Sequence, residues 1–211
     1  MAQSSSRARQ LLRTLCPDRD LQFDIVRFDA LSRPSRLSAA IDQLVLCAFV
    51  GVSITTSSQA RVASIVFATP DIVVVITGLR NMSPAMIATL ESRILCNPNL
   101  TLLGLDMQEV AFGLYSDVNG VTLSRGIDIL SLFDRTDPNK FITDLLGSTA
   151  DPAAFGIAVR SSPKPNSGTL SIVEAYMFAL SATRPGIVDT IRTQPWPHLS
   201  TAPERIPREV R

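Results

Sequence analysis

Residues 44–56 read LVLCAFVGVSITT, an apolar run from Leu44 to Val52 that closes on Ser53, Ile54, Thr55 and Thr56. A run this short is far below the roughly 18–20 residues needed to span a bilayer. Its apolar and β-branched content reads as a strand buried on both faces, with residues 48–54 as its centre. The hydroxyls of Ser53 and Thr55 at its end are unusual company for such a strand.

The segments around this strand build a sheet. Residues 36–46 (RLSAAIDQLVL) place Leu37, Ala40, Ile41 and Leu44 at helical spacing and follow Pro34-Ser35, a helix entry. Residues 61–69 (RVASIVFAT) and 72–77 (IVVVIT) are β-branched runs separated by Pro70-Asp71, which reads as a hairpin. Residues 83–95 (SPAMIATLESRIL) are the clearest helix: Ser83 is an N-cap, Pro84 opens the first turn, and Met86, Leu90 and Ile94 recur four apart. Residues 100–104 read as a short buried strand and 107–115 as a helix. Residues 126–133 and 140–146 are expected to be helical, 147–168 a long loop, and 170–182 a final helix. After Pro185 the chain is proline-rich, which argues against a packed helix and for a tail that docks on a partner.

Composition bounds the class. The chain has 211 residues, 45% hydrophobic and 18% charged, enough for one sizeable buried core. Its net charge of +1 does not advertise a polyanion partner or a membrane surface. Cys16, Cys47 and Cys96 are too widely spaced for a zinc site and too few for a disulfide framework, which favours a reducing, intracellular compartment, cytoplasmic or nuclear. The head of the chain, with Arg7, Arg9 and Arg13 and no acid before Asp18, reads either as an N-terminal arm or as a mitochondrial targeting segment. The domain reading is therefore a flexible arm or targeting segment at 1–22, one domain at 23–184, and a proline-rich tail at 185–211.

The order of elements and several segments resemble one family. The stretch 28–46, the strand ending VGVSI, the pair ASIVFAT and IVVVITG, the capped helix leading to NPNLTLLG, and GIDILSLF are similar to the DEDD 3′–5′ exonuclease domain. The likeness is to its tyrosine-containing branch, within the ribonuclease-H-like superfamily, and it covers residues 26–182. It implies an α/β fold with a mixed central sheet and helices on both faces. It also implies two metal ions held by four carboxylates, with Asp-x-Glu closing the first strand. Here the corresponding positions are Ser53 and Thr55. Six residues beyond Gly104 the second acid falls on Val110. The last motif, a tyrosine and an aspartate four residues on, matches Leu170 and Glu174.

Hydroxyls and a valine cannot replace carboxylates around a hard dication, which is held mainly by anionic oxygen. The reading that follows is a degenerate exonuclease domain, not an enzyme and without cofactor, serving as a structural or protein-interaction subunit in an RNA-related or other nucleoprotein assembly, the RNA setting being what the resemblance implies. A nucleic-acid-binding pseudoenzyme and a residual metal-dependent exonuclease using Glu174 with Asp106 or Glu109 are the alternatives. Arg61, Arg80, Arg125 and Arg160 are the candidate nucleic-acid contacts, and self-association is open to an apolar chain of this kind. Trp196, between Pro195 and Pro197, is a candidate partner anchor. The only histidine, His198, lies in the same tail without a packed frame to orient it as a base. No glycine-rich phosphate loop is present.

Overall fold

The computed structural model describes residues 2–30, 34–132, 137–160 and 167–193. Of residues 44–56 only Phe49–Thr56 form the strand, β2; Leu44 ends helix α2 (Pro34–Leu44), and residues 45–48, read as strand from their apolar content, turn between the two and leave Leu46 exposed. It is followed by β3 (Val62–Ala68) and β4 (Ile72–Thr77), and the three strands are antiparallel neighbours. A strand not anticipated from the sequence, β1 (Asp24–Asp29), pairs parallel with β4 at one edge. On the other side β5 (Thr101–Gly104) lies parallel to β2, and β6 (Gly126–Asp128) parallel to β5. The order is β1-β4-β3-β2-β5-β6, a mixed six-stranded sheet.

Both faces are covered, and strand alternation assigns them. On β3, Ile65 and Phe67 face one core while Val66 and Ala68 face the other; on β4, Ile72, Val74 and Ile76 oppose Val73 and Val75. The first face packs α2, α3 (Pro84–Leu90) and α4 (Met107–Asp117). The second packs α1 (Ala2–Leu15), α5 (Pro138–Leu146), α7 (Ser167–Ser181) and α8 (Pro185–Thr193), with α6 (Pro152–Arg160) alongside. The start of α3 is as its sequence indicates: the Ser83 hydroxyl accepts from Met86 N, and Pro84 opens the helix.

Four segments differ from their sequence reading. Residues 1–22, read as a flexible arm, include α1, whose Leu11, Leu12 and Leu15 are wholly buried against α7 and α6. The arginines of this head fasten it: Arg7 donates to Ala158 O and Arg9 to Phe23 O, each at 2.9 Å. The Arg9 guanidinium also lies 5.4 Å from the centre of the Phe23 ring, a cation–π contact. Residues 147–168, read as a loop, contain α6, opened by Asp151, whose carboxylate accepts from Ala154 N at 2.8 Å. Residues 185–193, read as part of an unpacked tail, form α8 and bury Ile187 and Ile191. Residues 126–132, read as helix, are β6 followed by a 3-10 turn, Ile129–Leu132. Apolar runs this short carry no periodicity that separates helix from strand, and pairing with β5 decides it. Among the described residues no helix is long and apolar enough to cross a membrane. Trp196 and His198 lie outside the described residues.

Helix α7 sits directly on β2. A Cβ added at Gly51 would fall 1.9 Å from the carbonyl oxygen of Ala175 and 2.9 Å from Ala179 N, so the helix backbone occupies the side-chain position. Gly51→Ala is expected to destabilise the fold by about 3 kcal/mol or more, because α7 must move off the sheet. Urea unfolding of the variant measures it; a loss below about 1 kcal/mol would show that the seam relaxes easily.

Candidate functional site

The inner face of β2 toward α7 carries Gly51, Ser53 and Thr55, each two residues from the next. Along α7, Ser171, Glu174 and Ala175 face this strand. The Ser171 hydroxyl donates to Ile54 O at 3.2 Å, and Ala175 meets Gly51. Between these contacts Ser53 Oγ donates to Glu174 Oε2 at 2.8 Å. Ser53 is only 7% exposed. Burial pushes the Glu174 carboxyl above its ordinary value, and the Ser53 hydrogen bond partly opposes that by favouring the charged form.

Thr55 is spent differently. Its hydroxyl lies 2.7 Å from that of Ser64, its partner directly across on β3, and both are buried. Leu170 is half-buried one turn before Glu174 on α7. Val110 does not join this group. It lies on the core-facing side of α4 with Met107, Ala111 and Leu114, in the core on the other face of the sheet. Counting from Gly104 along the chain cannot reveal this, because the register of α4 on the sheet is a packing outcome. Asp106 and Glu109 are both exposed, Asp106 in a left-handed conformation just before α4.

The two-metal centre implied by the family resemblance does not fit these residues. Of its positions only Glu174 offers a carboxylate; Ser53 is committed to Glu174, Thr55 to Ser64, and Val110 is apolar. Among the described residues no three His, Cys, Asp or Glu side chains are grouped so as to hold a metal ion.

The four arginines named from the sequence are divided. Arg61 and Arg80 line one shared groove, with Ser57, Gln59 and Asn81. Arg125 donates to Pro98 O at 2.6 Å, and Arg160 ends α6; neither lines that groove.

No family model matches the chain, and no curated protein does. Solved structures do. The Aedes aegypti Nibbler EXO domain superposes with a TM-score of 0.55 at 14% identity, covering 82% of this chain and 88% of that one. Trypanosoma brucei RNase D superposes with a TM-score of 0.56 at 14% identity, covering 82% and 70%. The chain therefore has the ribonuclease-H-like exonuclease fold. These neighbours also correct one expectation. The lost acids suggested that the chain is not an enzyme, whereas the structures whose fold it shares are nuclease domains, and substitutions at motif positions do not by themselves establish inactivity.

The Ser53–Glu174 pair makes a pH signature. With its folded pKa raised above the unfolded value, Glu174 favours the fold when protonated. Its contribution is therefore fully present below the unfolded carboxylate pKa and is lost as pH rises through the folded one. Wild type should lose stability relative to Glu174→Gln over that interval, measured as unfolding free energy against pH. A gap between the two proteins that stays constant with pH would show that the carboxylate is not desolvated as described.

Proposed function

We propose that this exonuclease-fold domain works as a protein-interaction subunit of a nucleoprotein assembly, engaging its partner through the outer side of α4. The observation that supports this reading is the pair Phe112 and Tyr115. They stand three residues apart on one side of the helix, 73% and 38% exposed, while Met107, Val110, Ala111 and Leu114 use the other side for the core. Water solvates aromatic area of this size poorly, and aromatic side chains are enriched at the centres of protein interfaces. Gln108 and Ser116 are exposed on the same helix and supply polar groups for a rim. Trp196 is the candidate for a second anchor. The nucleoprotein setting is suggested by the nucleic-acid enzymes among the fold neighbours.

Because neither aromatic supports the core, Phe112→Ser with Tyr115→Ser should change folding stability by no more than about 0.5 kcal/mol per site. Partner affinity should fall about 30-fold, as for loss of a central anchor. A photo-crosslinking residue at Gln108 should trap a defined protein adduct that the double substitution removes. The same residue at Ile157, exposed on α6, serves as control. An adduct of equal yield at both places, or one surviving the double substitution, would sink the reading. An adduct of twice the chain's own mass identifies the partner as a second copy.

A second reading, favoured by the nuclease neighbours and by Glu174 held beside Ser53, is a nuclease. Its test is a labelled single-stranded oligonucleotide incubated with magnesium or manganese. Stepwise shortening that disappears in Glu174→Gln supports it. Shortening that persists unchanged assigns the chemistry to other groups, and no shortening under either metal removes this reading.

A further inference from the structure

Away from the β2–α7 seam, two turns face each other at one end of the sheet. The β2–β3 turn is closed by Ser57 N donating to Arg61 O at 2.7 Å, with Ala60 at a φ of 55°. The other follows β4, where Gly78 takes a φ of 67° and leads into a 3-10 turn, Leu79–Asn81. Left-handed backbone at both corners turns the two segments toward a common space. That space is a groove of about 350 Å³.

Its lining combines two guanidinium groups, Arg61 and Arg80, with the neutral hydrogen-bonding side chains of Ser57, Gln59 and Asn81, and contains no carboxylate. Arg61 is exposed, and its guanidinium has no partner among the described residues. Arg80 is held from one side only: its Nη2 meets Asp117 Oδ1 at 3.4 Å, and its side chain is 43% exposed. Asp117 is itself anchored, since its other oxygen accepts from Val62 N at 2.9 Å. Asp29, close behind Gly78, accepts from the Thr77 hydroxyl at 3.3 Å. The carboxylates near the groove are thus used to hold the fold, one of them to aim Arg80.

A guanidinium fork pairs bidentately with oxyanions and excludes cations, and two forks with neutral donors at one concave surface suit the several oxygens of a phosphoryl group. We infer that this groove binds phosphoryl groups, with Arg61 as the principal contact and Arg80, positioned by Asp117, as the second. The chain's near-neutral charge makes this a local feature, not a general attraction for polyanions. A free phosphomonoester and the phosphodiester of a single strand present the same chemistry to it.

Calorimetric titration of the full chain with a mononucleoside 5′-phosphate, the matching unphosphorylated nucleoside, and a short single-stranded oligonucleotide tests the assignment. The phosphate-bearing probes should bind and the bare nucleoside should not. Arg61→Gln should weaken binding about tenfold, and Arg61→Lys should recover part of it. Circular dichroism confirms that the variants fold. Tighter binding of the mononucleotide identifies a free phosphoester as the ligand. Tighter binding of the strand, with a salt slope that falls by about one unit in Arg61→Gln, identifies a polynucleotide. Absence of binding by both phosphate probes, or equal binding by wild type and Arg61→Gln, overturns the inference. None of these outcomes depends on Phe112 or Tyr115 of α4 or on Glu174.

Discussion

The structure depends on the direct seating of α7 on β2. Gly51 has no side chain, and the space it leaves is filled by the Ala175 carbonyl and the Ala179 amide. This close approach sets the height of α7 above the sheet and brings Ser171 and Glu174 within hydrogen-bonding distance of β2. It also gives the second core its centre. Tyr176 packs its ring 4.1 Å from that of Phe23 and donates its hydroxyl to Pro70 O, while α1 closes over the far side of α7.

The same seating explains how the polar residues of β2 are accommodated. Buried hydroxyls and carboxylates are costly unless they find partners. Ser53 finds Glu174 and Thr55 finds Ser64, so the inner surface of the strand is satisfied from within the fold. In the family whose domains this chain resembles, several carboxylates would face one another here and require metal to offset their repulsion. A single carboxylate with a hydroxyl donor is stable without that compensation, though burial still raises its pKa. The nuclease shape of the domain and the chemistry of its seam are therefore separable properties, which is why the neighbours inform the first and not the second.

Much of this was legible in the residues. Strands β2, β3 and β4 announced themselves by β-branched runs divided by turn residues, and α3 by the Ser83-Pro84 cap. What misled was proline. Residues 147–168 were read as a loop and the chain after Pro185 as a tail, yet Pro152 and Pro185 each open a helix, as Pro34, Pro84 and Pro138 also do. At the first helical position proline loses no hydrogen bond, so the same residue marks a start as readily as a stop. The Asp151 cap before Pro152 was the available signal for α6. The arginines of the first helix misled for another reason: their charge suggested solvent or a targeting role, while their donors reach carbonyls that only the folded chain brings near.

By itself the sequence determined the existence of the central strands, an apolar content sufficient for a buried core, and the absence of the family's acids at Ser53 and Thr55, because these are properties of residue type and short-range order. Only the tertiary structure decided which distant residues meet. It joined Ser53 to Glu174, set Val110 on the opposite face, and brought Arg61 to Arg80 across one groove while leaving Arg125 and Arg160 elsewhere. Those meetings follow from sheet order and from how closely one helix can approach a glycine. No local pattern encodes them, since the partners lie up to 121 residues apart along the chain.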